Sequence, residues 1–307
     1  MVTMHLDHVS FTLLEPHNFS WLRRLGSVFC VYAGQDSGNL LFGVERDGMR
    51  RFVKYAGART VDYSGTAAEA VDRLRQAAGV YRELRHPALI GMEETLELPQ
   101  GFACVYDWFD GKGMHDLNEI DSGVDKDDPR SGYYRYRHLP LEKRLHSLRV
   151  LFDFLTYVED RGFVAVDFYD GSVLYDFKND ITKICDIDLY RPKPLYNHMG
   201  PDFWGTKRLK APEEYILGAE IDSRSNVFTL GALILHLFGA YTREDVGRMY
   251  RENAFHPCSR EGWILDGPLY DVVRKATEPD KAARYPSMRA FREAFWTAVP
   301  KALYCPA

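Results

Sequence analysis

The hydrophobic period of this chain changes partway along, and that change limits the folds open to it more than any single motif does. From Ser27 to Gly57 the residues SVFCVYAGQDSGNLLFGVERDGMRRFVKYAG alternate β-branched or aromatic side chains with turn signals at GQDSGN and RDGM, the pattern of three antiparallel strands. Next, TAAEAVDRLRQAAGVYRELRHP carries Val71, Leu74, Ala78, Tyr81 and Leu84 at helical spacing before His86 and Pro87, which predicts one amphipathic helix. ALIGMEETLEL and GFACVYDWF, parted by a Pro-Gln-Gly turn, predict two more strands. Beyond the glycines of DGKGMHD the period is that of helices. LEKRLHSLRVLFDFLTYVEDRG places Leu141, Leu145, Leu148, Leu151, Leu155 and Val158 on one stripe, NVFTLGALILHLFG is apolar throughout, and GPLYDVVRKATEP and MRAFREAFWTAV supply two further patterns. NEIDSGVDKDDPRSGYYRYRH, polar and rich in turn residues, reads as a loop. The expectation is an α+β chain with a small antiparallel β lobe bearing one helix (1–107), a hinge (108–113) and a larger, mainly helical lobe (114–307).

Composition narrows the partners. A formal net charge of −5 leaves no polybasic footprint, which argues against nucleic acid and anionic membranes. Cys30, Cys104, Cys185, Cys258 and Cys305 are odd in number, scattered, and lack CxxC or Cys/His ligand spacing, so neither a disulfide framework nor zinc is indicated and a reducing cytoplasm fits. The first residues lack a basic region followed by an apolar core, and no apolar run is long enough to span a bilayer, so neither export nor a membrane location is expected.

The chemistry-bearing residues concentrate between Gly162 and Tyr190, GFVAVDFYDGSVLYDFKNDITKICDIDLY, where Asp167 with Asp170 and Asp186 with Asp188 each follow an apolar run. An aspartate after a strand is commonly a turn former, and a lone lysine ending a strand, as Lys54 does in RRFVKY, is commonly solvated. GQDSGN, with Gly34 and Gly38, is by itself an ordinary hairpin turn, although glycines let backbone N–H groups approach an anion closely.

Order and spacing together nevertheless resemble the eukaryotic-like protein-kinase superfamily, in a divergent form of the bacterial serine/threonine type, over roughly Ser27 to Val299. VYRELRHPALIGM resembles the end of the family's αC helix and the strand after it, and CVYDWFDGKG its hinge. WGTKRLKAPEE resembles the segment that closes the activation region, and IDSRSNVFTLGALI stands where the family has Asp-Val-Trp-Ser-Leu-Gly, with Asn226 in place of the aspartate.

The resemblance implies a bilobal fold, ATP and magnesium as cofactors, and a protein substrate. It casts Lys54 as the cation on the α and β phosphates, Gly34 and Gly38 as the phosphate loop, and Asp107 as a hinge contact to the nucleotide. Asp167 becomes the aspartate that orients the substrate hydroxyl, Thr206 the activation-segment threonine, and Asp186 the metal ligand, with Ser172 at the asparagine position and Asp188 at the glycine of Asp-Phe-Gly as further metal candidates. Glu213 is expected to pair with Arg284 of PDKAARYPS.

Several positions depart from the pattern. The family's His-Arg-Asp reads Ala165-Val166-Asp167, which removes the arginine that receives an activation-loop phosphate and argues against control by loop phosphorylation. Tyr169 replaces the lysine two positions after the loop aspartate, Phe52 replaces the small residue over the adenine, and the αC glutamate position falls near Ala77, with Glu69, Asp72 and Glu83 as imperfect substitutes. Three readings follow: Mg-ATP-dependent phosphoryl transfer to a Ser/Thr hydroxyl of a protein, a pseudokinase that binds or scaffolds, and a small-molecule phosphotransferase resembling those acting on aminoglycosides or choline.

Overall fold

A computed structural model describes residues 1–114, 123–265 and 267–300; Cys305, residues 115–116 of the expected connection and the first part of the loop expected at 118–138 lie outside them. The chain divides into two compact units, Met1–Asp110 and Gly111–Ala307. Among the described residues the fold is mixed α/β, with seven α-helices and several small antiparallel sheets. None of these helices is long and apolar enough to cross a membrane.

The first unit is built on a five-stranded antiparallel sheet in the order β3-β4-β5-β7-β6: β3 (Ser27–Tyr32), β4 (Asn39–Arg46), β5 (Met49–Ala56), β6 (Met92–Leu98) and β7 (Gly101–Asp107). The β4–β5 turn is tight because Asp47 and Gly48 both take left-handed backbone angles, φ 53° and 75°, which match the twist of a two-residue hairpin. Pairing of Phe52 with Tyr106, Val53 with Val105, Lys54 with Cys104 and Tyr55 with Ala103 fixes which side chains share a face. Phe52, Lys54, Cys104 and Tyr106 form one face, and α1 (Ala67–Glu83) packs on that side, with the Tyr81 ring 4.9 Å from Tyr106. α1 begins at a reciprocal cap in which the Glu69 N–H donates to Thr66 Oγ1 (3.2 Å) and the Thr66 N–H donates to Glu69 Oε2 (2.7 Å).

The opposite face is covered by a substructure the sequence reading missed. β1 (Val2–Leu6) and β2 (Val9–Leu13) form a hairpin, followed by a 3-10 turn at Ser20–Arg24. Phe11, Leu13, Phe19 and Leu22 join Phe42, Val53 and Tyr55 in one core cluster, and Phe19 meets Phe42 edge-on at 5.5 Å. Full burial of a side chain of this size contributes roughly 1.5–3 kcal/mol. Asp7 ties the hairpin to the sheet by accepting the Val28 N–H at 2.7 Å.

The second unit contains α2 (Gly132–Arg137), α3 (Leu141–Asp160), α4 (Ser223–Phe238), α5 (Arg243–Glu252), α6 (Gly267–Ala276) and α7 (Met288–Ala298). On α3, Leu145, Leu148, Leu151, Leu155 and Val158 are buried as the stripe predicts, and Phe152 places its ring 5.0 Å from both Phe291 and Phe295 of α7. α4 is buried from Ser225 to Phe238, the position an all-round apolar helix demands. Gly231 lets α6 approach it: a Cβ there would meet the Ala276 Cβ at 2.8 Å. Two elements depart from expectation. The end of the expected loop is helix α2, started by the Ser131 hydroxyl accepting the Tyr134 N–H and held by buried Tyr133 and Tyr136. α5 was not anticipated because Met249 is its one buried residue, so its signal is the Thr242/Asp245 capping box and not a stripe.

Three small sheets frame the acidic stretch: β8 (Lys112–Gly113) and β11 (Ile181–Ile184) flank β10 (Val173–Asp176), β9 (Phe163–Val164) pairs with β12 (Arg191–Pro192), and β13 (Leu195–Tyr196) pairs with β14 (Glu220–Ile221).

Candidate active site

In the first unit Lys54 sits near the end of β5 and is buried, at 9% exposure, on the sheet face that receives α1. Of the acidic residues considered as its counterpart on α1, Glu69 is committed to the Thr66 cap, Asp72 lies 3.4 Å from Arg75, and Glu83 is exposed at the helix end. Ala77 is fully buried. Phe52 lies on the same face as Lys54, its ring 6.2 Å from Tyr106.

The turn between β3 and β4 carries Gly34 and Gly38 and is fastened from the side. Gly38 has φ 77°, and a Cβ there would strike the Tyr63 ring at 2.5 Å, so both backbone angle and packing call for glycine. Arg73 lies over that ring and donates to the Ser37 carbonyl at 2.7 Å. A Cβ on Gly34 would lie 3.5 Å from the Asp62 carboxylate, which puts negative charge beside the loop expected to receive phosphate. Asp107 ends β7 exposed, its N–H on the Gly91 carbonyl at 2.9 Å.

In the second unit Asp167 and Asp186 both occupy the left-handed region, φ 60° and 58°, which aspartate tolerates better than most residues. Asp167 follows the buried run Val164-Ala165-Val166, and Asp186 follows β11 after one residue. Both are half-buried. Asp167 Oδ1 accepts the Thr206 N–H at 2.8 Å and the Thr206 hydroxyl at 3.1 Å, so the aspartate and threonine singled out from sequence are joined directly. The Ala165 peptide just before Asp167 is clamped by Asn226 of α4, whose Oδ1 accepts the Ala165 N–H and whose Nδ2 donates to the Ala165 carbonyl, both at 2.9 Å.

The segment holding Thr206 is anchored on its far side. Arg284 donates to Glu213 at 2.8 and 2.9 Å, and also to the Glu278, Pro279 and Arg224 carbonyls, so the pair expected from sequence is present, buried, and supported by further bonds. The adjoining Glu214 is also buried and accepts the Ala211 N–H at 2.7 Å; burial, reinforced by the charge of Glu213, pushes its carboxyl up to about 8. Lys210 is buried too, donating to the Phe203 carbonyl at 2.5 Å and lying over the Tyr215 ring.

Tyr169 folds back over the turn Asp170-Gly171-Ser172: a Cβ on Gly171 would fall 2.4–2.7 Å from Cε2, Cζ and Oη of that ring. Burial, with the carboxylates of Asp186 and Asp167 nearby, raises its hydroxyl far above the usual tyrosine range, so it stays a donor. Ser172 is fully buried, its Oγ accepting the Tyr169 N–H at 3.4 Å. In that position its hydroxyl closes the turn. Asp186 and Asp188 are partly accessible carboxylates suited to a hard cation. Among the described residues no group of three or more His, Cys, Asp or Glu side chains converges on one point. Magnesium commonly takes only one or two protein carboxylates, its remaining positions going to water and phosphate, and Asp186 and Asp188 are side chains of the kind such an ion takes.

Asp170, to which the kinase resemblance gives no role, has a definite place. It is fully buried and meets Arg208 Nη2 at 2.5 Å, Lys126 Nζ at 2.7 Å and His236 Nε2 at 3.6 Å. Burial alone would raise its carboxyl, but the Arg208 and Lys126 charges hold it well below the ordinary range. His236 is pushed down to about 3 by burial and by Arg208, so it stands as a neutral imidazole. No signal in the sequence singled out Lys126, Arg208 or His236, because their partner is 38 or more residues away.

No protein-family model matches the chain, and no match exists among curated proteins.

Proposed function

We propose that the chain is a bilobal, protein-kinase-like phosphotransferase that moves the γ-phosphoryl of ATP to a serine or threonine hydroxyl of a protein. The observation that carries this reading is the contact of Asp167 with Thr206, between a left-handed loop aspartate and a threonine 39 residues later. Two supports lie behind it: the Asn226 clamp on Ala165 and the Glu213–Arg284 anchor. In this reading Asp167 accepts a hydrogen bond from the incoming hydroxyl and aims its oxygen at phosphorus, with the Thr206 bonds fixing the carboxylate's rotation. Lys54 would offset charge on the nucleotide phosphates, and Asp186, with Asp188, would hold magnesium. Magnesium, if bound there, would supply charge neutralisation at the transferring phosphoryl group.

A second reading, a pseudokinase that binds or scaffolds, is favoured by Asp62 beside Gly34, the Tyr63 ring against Gly38 and the burial of Ser172. One experiment separates them. With Mg-ATP at about a hundred times its dissociation constant, a binding-competent chain gains about 2.7 kcal/mol of stability, visible as a raised Tm. The phosphotransferase reading expects that shift together with γ-phosphate turnover that Asp167→Asn and Asp186→Asn abolish, and weakened ATP binding in Lys54→Met. A shift without turnover selects the pseudokinase, and turnover unchanged in Asp186→Asn removes that residue from the site.

A further inference from the structure

Asp170 and its partners have no part in the reaction just described, yet they join the two pieces of chain that reaction needs. Asp170 lies three residues after Asp167 in the same loop, and Arg208 lies two residues after Thr206 in the 3-10 turn Lys207–Leu209. The Asp167–Thr206 contact and the Asp170–Arg208 contact are therefore rungs of one ladder, the first half-buried and the second sealed from water. Lys126, from the chain before α2, closes the node on the side nearest solvent, its ammonium also lying 4.8 Å from the centre of the Tyr133 ring. His236 of α4 completes the wall.

We infer that Asp170, Arg208 and Lys126 are positioning residues that lock the 203–210 segment onto the Asp167 loop permanently, so that Thr206 stays on Asp167 without a phosphate to hold it. The physical ground is the cost of separation. Arg208 cannot shed its charge, and Asp170 is fully buried, so lifting the segment takes away one of the two cations on that carboxylate and leaves it to Lys126 alone. A pair sealed in this way is also screened far less by salt than a surface pair. Val166, standing immediately before Asp167, offers no cation for a phosphate, and the node supplies the same restraint from within the chain. The lock itself stands on geometry, and its consequence for turnover rests on the phosphotransferase reading.

The test uses the full chain. Hydrogen exchange at the Thr206 and Leu209 amides, which donate to Asp167 and to the Thr206 carbonyl, reports the lock without reference to activity. Exchange there is expected to be slow, unaffected by phosphatase treatment, and at least ~10-fold faster in Arg208→Met and Asp170→Asn, with Arg208→Lys recovering part of the protection. In Mg-ATP turnover the same variants should lower kcat and leave the KM for ATP unchanged. Should Arg208→Met fail to fold, Asp170→Asn, which keeps the side chain's shape, is read in the same way. A folded Arg208→Met or Asp170→Asn with the parent's exchange at Thr206 overturns the lock, and so does loss of protection on phosphatase treatment. Absence of turnover in the parent chain, with exchange responding as described, overturns the phosphotransferase reading alone.

Discussion

Asn226 shows how one side chain can do what its closest relative cannot. Its amide both accepts from and donates to the Ala165 peptide, whereas a carboxylate at that position could accept the N–H but would face the carbonyl with a second lone pair. Asn226→Asp is therefore expected to destabilise the chain by about 1–3 kcal/mol, the cost of an unmet buried acceptor, read from denaturant midpoints. Glu214 gives a pH signature. Its carboxyl is raised from 4.5 to about 8 in the folded chain, so its contribution is complete below pH 4.5 and is lost as pH rises through 8. Stability should fall across that window by up to a few kcal/mol, on the order of 1.4 kcal/mol per pH unit. Glu214→Gln keeps an oxygen for the Ala211 N–H and should flatten the profile; an equally sloped profile in that variant assigns the dependence elsewhere.

At the scale of elements, the segment from Thr206 to Tyr215 is short 3-10 turns with no helix of its own, so its placement depends on side-chain anchors. Arg284 is the main one. Among the described residues, removing it leaves Glu213 buried beside Glu214 with the Ser225 hydroxyl, at 2.7 Å, as its remaining side-chain partner. Arg284→Met is expected to cost about 3–5 kcal/mol, measured by thermal melting against the parent chain. The elements that sequence reveals are those with a strong repeat: β3 to β7, α1, α3, α4, α6 and α7 announce themselves by period. α2 and α5 do not, because Tyr133, Tyr136 and Met249 bury too little to make a stripe, and caps define them instead. The candidate site divides along the same line. Asp167, Asp186, Thr206 and the Glu213–Arg284 pair could be picked out because each sits in an ordered local motif. The Asp170 node, the Lys210 contact with the Phe203 carbonyl and the fastening of Gly38 by Tyr63 could not, since they depend on side chains meeting from segments with no shared pattern.

On the scale of the whole molecule, the hairpin β1–β2 and the turn after it change what the first unit can do. They seal the face of the five-stranded sheet formed by Phe42, Val53 and Tyr55, while α1 occupies the other. A chain beginning after residue 26 would present that aromatic face to water as one continuous apolar surface. It should self-associate at concentrations where the full chain does not, as light scattering or size-exclusion chromatography would show. Residues 2–25 thus keep the sheet's aromatic face out of water, and any tag, cleavage or alternative start that disturbs them is expected to show first as stickiness.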